Sequence, residues 1–149
     1  MELPKDLTIY LLNLSNKNLT KIPDLRNYTK LKILILFGNQ IQTIENLQPN
    51  LTLLRLSNNN IQKIENLPQS LEYLDLNNNK ITKIENLPQS LKSLDLNNNK
   101  INKIESVPQS LHYVHIYDKF VRNYKLHLLL QLDLLYDIKT DQLLESPLV

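Results

Sequence analysis

Apolar side chains recur through most of this chain at steps of three, two, five, three and three, after which the series starts again. In one copy they are Leu71, Leu74, Leu76, Ile81, Ile84 and Leu87. Counting Leu71 as position 1, these fall at positions 1, 4, 6, 11, 14 and 17, and Asn79 at position 9. The same template fits Leu91 to Val107, Leu51 to Leu67 and Leu31 to Leu47, and a longer first copy of 22 residues runs from Ile9 to Lys30. Residues 61–80 and 81–100 agree at 17 of 20 positions, differing only at Gln62/Thr82, Glu72/Lys92 and Tyr73/Ser93. Leu74 and Leu76 stand two apart with Asp75 between them, the period of a strand with one buried face. Six apolar residues are too few to offset the ordering of twenty, so a single unit cannot fold alone and the copies must stack.

The pattern L-x-x-L-x-L-x-x-N-x-I resembles the leucine-rich repeat family, over residues 9–118. Two local phrases carry further likeness: "LPQSL" resembles the bacterial-type class, and "IxKIENL" resembles the class found in an intracellular phosphatase regulator. The resemblance implies an α/β repeat class fold, a leucine-rich repeat solenoid with a curved parallel β-sheet on its concave side. It also implies work as a protein-protein interaction module. Pro68, Pro88 and Pro108 at position 18 remove amide donors and restrict the residue before them, which predicts an extended or turn-like convex side. Asn39, Asn59, Asn79 and Asn99 at position 9 are expected to serve backbone groups of neighbouring turns. Lys17 and Lys119 take that position in the end copies. Lys63, Lys83 and Lys103, near Glu65, Glu85 and Glu105, are expected to form solvated ladders of little energetic worth.

Stacking in register turns every twentieth residue into a column, and positions 2, 3, 5, 7 and 8 are predicted to look out from the concave face. Its first half then carries Tyr10, Leu11, Ile33, Ile35, Phe37 and Leu53, an apolar patch of the sort that marks a contact site. The second half is polar and aromatic, with Arg55, Glu72, Tyr73, Asp75, Lys92, Asp95, His112, Tyr113, His115, Tyr117 and Asp118, a mixture suited to interface anchors. The candidate partner-binding set is Tyr10, Leu11, Ile33, Ile35, Phe37, Leu53, Arg55, Tyr73, Asp75, Asp95, Tyr113 and His115. Two of the three differences between the near-identical copies fall on this face.

Two places on this face offer sharper chemistry. Asp75 and Asp95 on adjacent strands about 4.8 Å apart would suit a metal-dependent hydrolase using Asp75, Asp95 and His115. The plainer reading is an electrostatic ladder in which Arg55 and His115 offset the repulsion between the acids. His112, His115 and Asp118 have no tight ligand spacing, because strand alternation takes His112 out of line with His115. A single glycine, Gly38, leaves no phosphate-cradling loop. We therefore expect no catalytic residue, no metal site and no cofactor.

The ends depart from the template. Residues 1–8 read as a short N-terminal cap, 9–118 as repeats and 119–149 as a C-terminal cap, all in a single domain. Val121, Tyr124, Leu128, Leu132 and Leu135 keep a helical period while Leu126 through Leu134 also alternate. Leucine's helix preference favours a helical C-terminal cap over 120–137. So leucine-dense a segment also offers a possible homodimer contact.

Composition adds limits. The 149 residues fit one domain, 42% are apolar, and a net charge of +2 gives no electrostatic case for nucleic acid or membrane partners. There are no cysteines, and no basic, apolar leader opens the chain, so an intracellular, cytoplasmic location is expected. The stretch from Leu126 to Leu135 holds Gln131 and Asp133 and is too short to span a bilayer, which takes about 20 residues. Abundant Asn, Ile, Lys and Leu suit an AT-rich genome. They motivate a second reading as a pathogen or viral factor whose repeat domain engages a host protein in the host cytoplasm.

Overall fold

The structure is a computed structural model and describes residues 2–116. The readings placed on Tyr117, Asp118 and Lys119, the helix at 120–137, the 119–149 cap and the Leu126–Leu135 segment lie outside the described residues.

Each copy contributes one three-residue strand: β1 (Leu11–Asn13), β2 (Ile33–Ile35), β3 (Leu53–Arg55), β4 (Tyr73–Asp75), β6 (Ser93–Asp95) and β8 (Tyr113–His115). They form one parallel sheet in the order β1-β2-β3-β4-β6-β8. The register is that of the sequence repeat, with Leu12, Leu34, Leu54, Leu74, Leu94 and Val114 in a single row. Between strands the chain runs through bends and turns. Two short strands, β5 (Lys83–Ile84) and β7 (Lys103–Ile104), pair in parallel on that return side. Among the described residues the return path is thus extended or turn-like, as the prolines predict. The carbonyls of Pro68, Pro88 and Pro108 each accept the amide three residues on, at Leu71, Leu91 and Leu111 (3.1–3.2 Å), which turns the chain back into the next strand.

The core is the set of template positions. Leu71, Leu74, Leu76, Ile81, Ile84 and Leu87 are all buried, as are their equivalents in the preceding two copies apart from half-buried Leu47. Three polar ladders, one buried within this apolar stack and two along its margin, satisfy backbone that the turns leave unpaired. In the first, Asn59 Nδ2 donates to the carbonyls of Leu36 and Leu56 (both 3.0 Å), while its Oδ1 accepts the Ile41 amide at 2.9 Å. Asn79 and Asn99 repeat the arrangement one and two turns along. In the second, Ser70, Ser90 and Ser110 hydroxyls reach carbonyls of the preceding turn, for example Ser90 Oγ to Leu71 O at 2.6 Å. In the third, Asn46, Asn66 and Asn86 donate to the carbonyls of Ile22, Ile44 and Ile64. No buried side-chain nitrogen or oxygen among the described residues lacks a partner.

The three consecutive asparagines of each central copy do different work. Asn77 offers its amide to the Asp75 carboxylate (3.0 Å), Asn78 adopts a left-handed backbone (φ 54°), and Asn79 is buried in the ladder. Asn16, Asn58 and Asn98 share the left-handed conformation with Asn78, and Gly38 (φ 67°) takes it in the second copy. Asparagine tolerates that region better than other L-residues with a side chain.

At the N-terminal end, Leu3 and Ile9 pack on the core and the buried Tyr28 donates its hydroxyl to the Pro4 carbonyl at 2.6 Å. That contact ties residues 2–8 to the first turn.

Candidate functional site

Pleating sends the middle residue of every strand inward and its two flanking residues to the opposite face. Leu11, Ile33, Leu53, Tyr73, Ser93 and Tyr113 therefore form one row across the sheet, and Asn13, Ile35, Arg55, Asp75, Asp95 and His115 another. Tyr10 precedes β1, and Phe37 follows β2 by two residues. All twelve residues singled out from the sequence lie on this face or at its margin, and the repeat itself was the signal. Tyr10 (60%), Leu11 (50%), Phe37 (40%), Tyr73 (48%) and Tyr113 (56%) are the large side chains most open to solvent here. Ile33, Ile35 and Leu53 are half-buried between neighbouring strands, while Arg55 and His115 are exposed.

Two expectations for this face need correction. Position 7 does not face solvent throughout, because Ser57 is buried, with its hydroxyl donating to Asp75 Oδ2 at 2.8 Å. Nor is the aspartate pair held by ion pairs to Arg55 and His115. Among the described residues the ion pairs are Lys5–Glu2, Arg26–Asp24, Lys92–Glu72 and Lys103–Glu105. Asp75 and Asp95 instead each cap the turn that follows their strand, accepting the amides of Asn77 and Asn97 at 3.0 and 2.9 Å. Asn13 does the same for Ser15 in the first copy. Short polar side chains at position 5 thus fasten the strand end, a local role that sequence reasoning assigned to repulsion and its relief. His112, like Tyr113 beside it, is exposed.

Sequence reading also missed the meaning of the Glu72/Lys92 difference. The two side chains meet across neighbouring turns at 2.6 Å. Identical residues at this position would set like charges side by side. The Glu72 hydrogen bond raises the Lys92 pKa above its ordinary value, with the Glu72 charge adding to it. On the return side, Lys103 pairs with Glu105 of its own copy at 2.6 Å, and that hydrogen bond lowers the Glu105 pKa.

A shallow groove crosses the middle of the face, lined by Leu53, Arg55, Tyr73, Asp75, Ser93 and Asp95. It contains apolar, aromatic, cationic and anionic side chains on a fixed lattice of strand spacings. Such a surface is equipped for contact with another chain.

The repeat spacing, parallel register and buried asparagine ladder define a class. A family model described as leucine rich repeats in two copies matches residues 49–89 and 69–110. Over residues 49–110 the chain carries leucine-rich repeats, and its described fold is a parallel-strand solenoid of that kind. Among solved structures it is similar to YopM from Yersinia enterocolitica, at 32% identity and a TM-score of 0.63, over 68% of this chain and 22% of YopM. The chain thus spans less than a quarter of YopM's length. An internalin from Listeria monocytogenes aligns at 24% identity and a TM-score of 0.35, over 73% of this chain and 48% of that one. No curated protein matches the sequence. Among the described residues no helix is long and apolar enough to cross a membrane.

Proposed function

We propose that this chain is a binding module, without enzymatic activity or cofactor, that takes a partner protein on the outer face of its six-stranded sheet. The observation that carries this reading is the contrast between frame and face. The buried polar side-chain atoms of the frame are all hydrogen-bonded and the frame repeats nearly unchanged, whereas the face changes from copy to copy and exposes Tyr10, Leu11, Phe37, Tyr73 and Tyr113. Large side chains left open on a rigid lattice are what an interface uses for its anchors. Tyr10, Leu11, Ile33, Ile35, Phe37 and Leu53 supply apolar contact area. Arg55, Tyr73, Asp75, Asp95, Tyr113 and His115 supply selectivity. Residues 1–149 act as one domain in this reading, working in the cytoplasm.

The test is recovery of a partner from lysate by the wild-type chain beside Ile35→Asp and Tyr73→Ala. Loss in both variants is expected, and equal recovery by all three would show that the face was misassigned.

The alternative, a pathogen or viral factor whose repeat domain engages a host protein, draws support from the likeness to a Yersinia enterocolitica chain. Its discriminating result is a partner found in host lysate and not in lysate of the source. The hydrolase reading through Asp75, Asp95 and His115 predicts heat on titrating divalent metal into the chain by calorimetry. We expect none at millimolar metal, because both aspartates are already engaged by turn amides.

A further inference from the structure

The two halves of the sheet face differ in charge as well as in polarity, and that difference selects a class of partner. At positions 2, 3 and 5 of the first three copies stand Tyr10, Leu11, Asn13, Lys32, Ile33, Ile35, Thr52, Leu53 and Arg55. Two are cations and none is an acid. Arg55 is exposed and takes part in no ion pair among the described residues. Its neighbour across the strands, Asp75, is already occupied by the Ser57 hydroxyl and the Asn77 amide. The β1–β3 half therefore offers apolar anchors with an uncommitted guanidinium at its inner edge, next to the groove.

We propose that this half of the face docks a partner segment that combines apolar side chains with carboxylates. The apolar side chains cover Leu11, Ile33 and Phe37, and a carboxylate pairs with Arg55. This inference rests on the binding reading above and names the chemistry of the partner. Charge complementarity carries the choice. A basic segment would set its cations against Lys32 and Arg55, with no carboxylate at those nine positions to receive them, and like charges at an interface are strongly disfavoured. A second copy of this chain is a poorer fit. Stacked face to face about a two-fold axis between β3 and β4, two copies would place Asp95 of one on Ile35 of the other, burying a carboxylate on an apolar surface.

Short random peptides displayed on phage, selected against the full chain and remeasured singly by fluorescence anisotropy, test this. The expected binders pair apolar residues with Asp or Glu. They lose about tenfold or more in affinity on Arg55→Glu, the effect of one charge-assisted hydrogen bond. They also weaken as salt rises and are indifferent to Asp95→Asn. Arg55→Gln, at an exposed site, should act in the same direction with the fold intact by circular dichroism. Basic binders, or binders that are lost in Ile35→Asp but unmoved by Arg55→Glu, would overturn the partner chemistry while leaving the binding face in place. Binders indifferent to Ile35→Asp, or no binders at all, would count against both. A concentration-dependent dimer that Ile35→Asp abolishes would give the face to a second copy and overturn the proposal.

Discussion

Replacing Asn79 by alanine isolates what one rung of the asparagine ladder contributes. Asn79 is 7% exposed, and its side chain makes three close bonds to backbone besides a longer one, at 3.3 Å, to the Asn77 carbonyl. Oδ1 accepts the Ile61 amide at 2.9 Å, and Nδ2 donates to the carbonyls of Leu56 and Leu76, each at 3.0 Å. Those two carbonyls do not become orphans in the variant. Leu56 still receives Asn59, and Leu76 still receives Asn99, because every rung is shared between consecutive copies. The Ile61 amide is different, since nothing else accepts it. Leaving a buried donor unpaired costs about 1–3 kcal/mol, and losing two shared bonds adds about 0.5–1.5 kcal/mol each. For the three close bonds the sum centres on about 4 kcal/mol, a large effect for a single substitution. Urea unfolding of the full chain should show the midpoint falling with little change in m. Hydrogen exchange should locate the change, with the Ile61 amide losing protection before amides two turns away. Asn78→Gly next door is the control: it keeps the left-handed backbone and should move stability by only a few tenths of a kcal/mol. If Asn79→Ala proved no worse than Asn78→Gly, the ladder would be a by-product of stacking and not a cause of it.

Other outcomes follow from the same geometry. Gly38→Asn should cost under about 1 kcal/mol in urea unfolding, since asparagine holds the equivalent left-handed position in four other copies, whereas β-branched Gly38→Val should cost about 2 kcal/mol. An added Cβ would clash with Asn16 Oδ1, so the Asn variant needs the end of that exposed side chain to swing aside. Ser90→Ala, which removes the hydroxyl bound to Leu71 O and Gln69 O, should lower stability by about 1 kcal/mol in the same assay. The Asp24 carboxyl is held down at about 2 by its hydrogen bond from the Arg26 side chain, with the Arg26 amide assisting. A depressed carboxylate stabilises the fold above its unfolded pKa, so this contribution should fade between about pH 4 and 2. NMR titration of Asp24 in wild type and Arg26→Ala checks it, and identical titration curves would refute the pairing. Lys92 shifts the other way: its contribution is complete below about pH 10 and is lost as pH rises through the elevated folded value. Lys92→Gln should remove that alkaline edge.

Much of this molecule could be read from spacing alone, because a parallel stack repeats one environment every twenty residues. Leu74 between Tyr73 and Asp75 sufficed to place a strand, its buried side and the two outward rows, and the observed burial follows it. The position-9 asparagines were legible as well, since a buried bend has backbone groups that only such a side chain can serve. The serines of "LPQS" were not, because a hydroxyl in a turn is ordinarily solvated, and nothing local shows that a carbonyl of the previous turn lies within reach. The middle asparagines were equally silent. Their left-handed backbone comes from the closure of the turn, and their identity as Asn was already explained by their neighbours.

The sequence by itself determined the period, the inward and outward sets and the row in which each candidate binding residue would stand. These are consequences of side-chain alternation and repeat length, both local properties of the chain. Only the tertiary structure decided who pairs with whom. Glu72 meets Lys92, Ser57 meets Asp75, and Arg55 is left uncommitted, because each of those outcomes depends on side chains about twenty residues apart and on distances of a few tenths of an ångström. A repeat specifies the lattice, whereas the charges and hydrogen bonds are settled between neighbouring turns once the lattice exists.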